Sequence, residues 1–139
     1  MKVLFDTSAL YKRYSDEFGT QQVDAVLQQA SEVLLAAHCK TEIASALCRD
    51  QFNAGMTREE YFETFALVQS DFDDFTVVGL NARVEALAIA AMQGNRLRAV
   101  DALHIGTAQV AGVDLFVTAD RKQAAAAQAS GLKTQLIDI

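Results

Sequence analysis

The chain has 139 residues, 51% of them hydrophobic and 22% charged, with a net charge of −6. That length suits a single domain, read here as residues 1–139, and the apolar share supplies the core that a disordered chain lacks. The acidic balance excludes a broad basic surface for indiscriminate nucleic-acid binding, so such a contact has to be local.

The apolar start Val3-Leu4-Phe5 runs straight into Asp6. It is too short for a secretory leader or a membrane span, and the expectation is a cytoplasmic protein without membrane contact. Lys2–Phe5 reads as a buried strand. Ser8–Tyr14 and Thr20–Ala30 read as helices, with Leu10, Tyr14, Val23, Val26 and Leu27 at helical spacing. Val33–Ala36 is a second strand, and Thr41–Ala54 is a helix ended by Gly55. Thr57-Arg58-Glu59-Glu60 has the capping-box pattern and opens a helix to about Ser70. Phe75–Val78 is the third strand. Asn81 caps a helix to about Gln93, and Ala99–Ala111 is a helix stopped by Gly112. Leu115–Thr118, Arg121–Ala129 and Thr134–Ile137 read as strand, helix and strand. Strands alternating with helices predict a parallel sheet covered on both faces.

The two cysteines, Cys39 and Cys48, fall near or in one helix, nine residues apart. At about 100° per residue they lie on opposite sides and cannot pair there, so both read as thiols. His38-Cys39 hints at zinc, but the sequence shows no second His/Cys cluster to complete a site. Phe62, Phe65, Phe72 and Phe75 surround one helix and serve either the core or a partner surface.

Ligands of open parallel sheets bind beyond the carboxyl ends of strands. Asp6 directly follows the first strand, and Asp120 follows the fourth with one residue between. Glu42 and Asp101 each lie early in a helix. Two carboxylates about 5 Å apart repel by about 3 kcal/mol at an effective dielectric near 20. Several such pairs rival a domain's stability of roughly 5–15 kcal/mol, so protons or a divalent cation must relieve them. Oxygen ligands alone favour Mg²⁺ or Mn²⁺ over zinc, and such an ion suits phosphodiester hydrolysis. Thr7, Ser8 and Thr118 are placed to hydrogen-bond the carboxylates, metal-bound water or phosphate. Each acid alone has a plainer explanation as a helix cap or a partner of the helix dipole. The set of four shifts that balance.

Asp6-Thr7-Ser8-Ala9-Leu10, Thr41-Glu42-Ile43, Leu97 to His104, and Thr118-Ala119-Asp120 together resemble the PIN-domain family, and within it the VapC-like toxins. The resemblance spans essentially the whole chain, and one departure is Ala37-His38-Cys39-Lys40 before Glu42. It implies a five-stranded parallel sheet of order 3-2-1-4-5 and a Mg²⁺- or Mn²⁺-dependent endoribonuclease. Asp6, Glu42, Asp101 and Asp120 would form the metal site, with Asp6 and Asp101 as direct ligands. It also implies a homodimer and a small antitoxin that occupies the active-site groove. Of the basic residues near the motifs, which include Lys40, Arg49 and Arg121, Arg98, Lys12 and Arg13 are the expected RNA contacts. His104 reads as structural rather than as a general base. The competing readings are a non-catalytic RNA- or partner-binding protein and an aspartate-based phosphotransfer protein. The second is disfavoured because Ser8 stands where a phosphatase needs a second Asp, and Asp6 lacks the acidic neighbour of a receiver.

Overall fold

The computed structural model describes residues 1–137. In chain order they form β1 (Lys2–Phe5), α1 (Thr7–Leu10), α2 (Lys12–Ser15), α3 (Thr20–Gln29), β2 (Glu32–Ala36), α4 (Cys39–Phe52) and α5 (Arg58–Asp74). Then follow β3 (Thr76–Val78), α6 (Ala82–Gly94), α7 (Ala99–Ala111), β4 (Leu115–Thr118), α8 (Arg121–Ala129) and β5 (Thr134–Leu136). The five strands pair in parallel in the order β3-β2-β1-β4-β5. This is the expected sheet.

Strand alternation sorts the core into two layers, because successive side chains point to opposite faces. Val3, Phe5, Leu35, Leu115 and Val117 face one way, onto Leu10, Val23, Ile43, Leu47 and Val68 of the first five helices. Leu4 and Phe116 face the other way, onto Ala91, Ile105, Ala108, Ala126 and Ala127 of the last three. The first layer is built on large aliphatic and aromatic side chains. The second is rich in alanine, which lets α6 and α7 approach closely. Gly106 makes that approach possible: a Cβ there would lie 2.6 Å from the Val84 carbonyl oxygen and 3.0 Å from the Ala88 nitrogen.

Several boundaries differ from the sequence reading. The single helix expected over Ser8–Tyr14 is divided at Tyr11, where the Tyr14 amide bonds the carbonyl only three residues back. Helix α5 runs on to Asp74 rather than stopping near Ser70, because Phe72 is buried and Asp71 is held by Arg13 and Tyr14. Its start is as expected, with the Thr57–Glu60 capping box formed in both directions. Both cysteines lie in α4 as free thiols. Of the aromatic group, Phe72 is buried, Phe65 and Phe75 pack against the core, and Phe62 is exposed. Among the described residues no helix is long and apolar enough to cross a membrane.

Candidate active site

Strand order places the site. From β1 the chain steps outward through β2 and β3, then returns to the other side of β1 for β4. The carboxyl ends of β1 and β4 therefore flank the point where the winding reverses, the usual crevice of such sheets. A cavity of about 330 Å³ opens there, lined by Asp6, Thr7, Ser8, Tyr11, Glu42, Ser45, Ala46, Arg49, Arg98, Asp101, His104 and Asp120. The four acids that the sequence singles out thus come from four separate elements into one pocket.

Asp6 is the deepest, 3% exposed. Its Oδ1 accepts from Ser8 Oγ at 2.7 Å and from the Ala9 amide at 3.0 Å, and its Oδ2 accepts from Thr118 Oγ1 at 2.5 Å. Burial pushes its carboxyl above the ordinary range, and His104 together with these hydrogen bonds opposes only part of that rise. Asp6 also caps α1. Asp120 caps α8, its Oδ1 accepting from the Lys122 and Gln123 amides at 2.8 and 3.1 Å. The capping and pocket roles, alternatives in the sequence, are filled by the same side chains.

Glu42 stands in the first turn of α4. Its Oε1 accepts from Thr7 Oγ1 at 2.6 Å and lies 2.9 Å from His104 Nε2. Burial pushes Glu42 upward, but the bonds from His104 and Thr7 and the nearby imidazoles outweigh it and hold its carboxyl below the usual value. Asp101 sits in the first turn of α7, and a fork from Arg98 grips it at 3.1 and 3.3 Å. Buried Gln123 on α8 donates to the Asp101 carbonyl at 2.8 Å, so α8 also fixes the start of α7.

Thr7, Ser8 and Thr118 all touch the acids. Ser8 Oγ further accepts from the Ala119 amide at 3.0 Å and lies 3.3 Å from Thr118 Oγ1, which in turn accepts from the Asp120 amide at 3.1 Å. Arg98 stands at the pocket mouth with its side chain 76% exposed.

Lys12 and Arg13 do not join them, which corrects the expectation that they face the groove. Lys12 is 8% exposed and its Nζ lies 2.8 Å from Glu17. Arg13 forks onto Asp71 at 2.7 and 3.2 Å and reaches Asp24 at 3.1 Å. Both cations are consumed in tying α2 to its neighbours, and neither lines the pocket. Arg49 lines the pocket instead, its Nη1 donating to Ser45 Oγ at 3.1 Å. Tyr11, hydrogen-bonded to Asp50, and Ser45 were not singled out from sequence. Helical spacing from Glu42 would have pointed to Ser45 and Arg49, three and seven residues on. His104, read as structural, is 2% exposed but touches Glu42 directly.

A family model described as PIN domain matches residues 3–129. Ribonuclease VapC45 of Mycobacterium tuberculosis is 29% identical over 137 residues, 94% of this chain and 92% of its own. Among solved structures, a toxin–antitoxin complex from Klebsiella pneumoniae aligns with a TM-score of 0.67 at 16% identity, over 87% of this chain and 88% of that one. VapC20 of Mycobacterium tuberculosis, a sarcin–ricin loop cleaving toxin, aligns with a TM-score of 0.68 at 16% identity, over 89% and 94%.

Proposed function

This chain belongs to the PIN-domain family, and from that premise we propose that it is a Mg²⁺- or Mn²⁺-dependent endoribonuclease, the toxin of a toxin–antitoxin pair. One observation carries the reading: Asp6, Glu42, Asp101 and Asp120, far apart in sequence, line one pocket at the winding switch of the sheet. The substrate class follows the relatives, one named a ribonuclease and one titled a toxin that cleaves an RNA loop.

The donor set fits the cation. It is all oxygen, and Asp6 is a buried carboxylate whose charged form is disfavoured until an opposite charge arrives. Asp6 and Asp101 would ligate directly, while Glu42 and Asp120 act through water or hold a second ion. When bound, the ion supplies positive charge for the phosphate and an acidified water for hydrolysis. The chain's own residues do the positioning. Ser8, Thr118 and the Ala9 amide fix both Asp6 oxygens, and Thr7 turns Glu42. Arg98, whose fork on Asp101 is released when Asp101 turns to the ion, would join Arg49 in offering guanidinium groups to RNA phosphates at the mouth.

Residues 1–139 act as one nuclease unit in this reading. It dimerises and is silenced by a small antitoxin covering the pocket; the fold it shares with a chain of a toxin–antitoxin complex supports the antitoxin partner. Purified protein is expected to cut single-stranded or looped RNA in Mg²⁺ or Mn²⁺. Asp6→Asn or Asp101→Asn should lower the rate by at least about 10²-fold, since each removes a charged group from the pocket that stabilises the reaction. Undiminished cutting in excess EDTA would overturn the proposal.

A further inference from the structure

The protein has two histidines, 66 positions apart in its sequence, and the fold brings them together. His38 precedes α4 and His104 lies within α7. Their ring centroids are 4.3 Å apart. Between them stands Glu42, with Oε1 3.3 Å from His38 Nε2 and 2.9 Å from His104 Nε2. One ligand atom from each of the three residues lies within 4.8 Å of the others. The sequence hinted at zinc through His38-Cys39 and offered no partner cluster. The partners are a carboxylate one helical turn on, at Glu42, and the distant imidazole of His104, which no local spacing reveals.

We propose that His38, Glu42 and His104 form a second cation site, selective for zinc or a similar borderline ion. Zinc bonds to imidazole nitrogen and carboxylate oxygen are about 2.0–2.2 Å, so tetrahedral donors stand roughly 3.3–3.5 Å apart. The two separations from Glu42 already lie near that range, so an ion enters with small ring movements. Donor chemistry separates this site from the acidic pocket: imidazole suits zinc, cobalt and nickel, whereas magnesium prefers carboxylates and water. On binding, each ring nitrogen gives a lone pair to the ion; its proton leaves to solvent if the ring was an imidazolium, and passes by way of solvent to the ring's own Nδ1 if the ring was neutral. His38 Nε2 then gives up its 2.8 Å contact with the Val100 carbonyl. Glu42 belongs to both sites, so zinc held here withdraws it from the acidic pocket. That consequence rests on the nuclease reading, whereas the zinc site itself does not.

Two histidines make the test direct. Long-range ¹H–¹⁵N spectra of the imidazoles are recorded as one equivalent of Zn²⁺ is added to the intact protein in excess Mg²⁺. Zinc should move both Nε2 signals by the large change of direct nitrogen–metal bonding, which Mg²⁺ alone should not produce. His38→Gln keeps a half-buried polar side chain and should weaken zinc binding by more than the roughly 10–100-fold typical of losing an outer contact. Zinc that binds without shifting either ring, or binds His38→Gln as tightly as wild type, overturns the site. In the RNA assay, zinc should slow wild type and spare His38→Gln. Zinc-saturated wild type cutting at its full rate would overturn the sharing of Glu42. Absence of cutting in Mg²⁺ alone would sink the nuclease reading and leave the ring spectra to decide the zinc site.

Discussion

Asp6 shows at the level of one side chain how a site is held against its own chemistry. Its carboxylate is fully enclosed, and burial raises its affinity for a proton. A carboxyl with a raised folded-state value contributes stability below its unfolded value and loses it as pH rises through the folded one. At neutral pH without metal, the Asp6 carboxyl therefore costs stability. Asp6→Asn retains acceptor oxygen for Ser8 and the Ala9 amide while removing the charge. In EDTA at neutral pH it is expected to melt at a higher temperature than wild type, with the gap closing as pH falls. Mg²⁺ should raise the wild-type melting temperature through mass action and move the variant less. Thermal scans across pH with and without Mg²⁺ check this. A variant that melts lower in EDTA would mean that the protein alone already compensates the charge.

The same residue marks what a sequence can and cannot disclose. Asp6, Glu42, Asp101 and Asp120 stood out because each sits at an element end, where local pattern is informative. Lys12 and Arg13 misled because charge says nothing about facing. Lys12's partner Glu17 lies five residues on, between α2 and α3, whereas Arg13's partners Asp24 and Asp71 are set by how α2 meets α3 and α5, a tertiary fact. The contact of His104 with Glu42, 62 residues away, is of the same kind.

Among the elements, the pair α6 and α7 positions Asp101, and its geometry depends on one missing methyl. Gly106 faces the backbone of Val84 and Ala88, which cannot yield as a flexible side chain would. Gly106→Ala should gain helix propensity and yet destabilise the protein, because overpacking typically costs about 1–3 kcal/mol against less than about 1 kcal/mol gained. Urea melts should show a lower midpoint with an unchanged slope. A midpoint equal to or above wild type would show that the helices separate freely. The Thr57–Glu60 capping box offers a contrasting case, legible from four consecutive residues and formed as read. Thr57→Ala should cost about 1 kcal/mol and leave RNA cleavage unchanged, since the box lies outside the pocket. Helix ends were read less well than helix starts. Capping chemistry is local, while α5 continues past Ser70 only because Phe72, Asp71 and their partners meet in space.

For the whole molecule, the net charge of −6 sets how RNA arrives. A protein with a basic face gathers many phosphates and loses affinity steeply with salt. Here Lys12 and Arg13 are spent internally, and Arg49 and Arg98 line the pocket. With about two phosphates neutralised, log affinity for single-stranded RNA should fall with log salt at a slope near −1.4, about seven-fold between roughly 50 and 200 mM. Arg49→Gln should flatten that slope by about 0.7. Binding of a non-cleavable RNA analogue in constant Mg²⁺, titrated across salt, measures both. A slope steeper than about −4 would require four or more further phosphate contacts than two guanidiniums make, and so a basic surface beyond the pocket. A shallow slope would instead assign affinity to cations held by Asp6, Glu42, Asp101 and Asp120, as the proposed function has it. On that account the acidic surplus is an aid to selectivity: it repels RNA everywhere except at the place where its phosphate meets a metal ion.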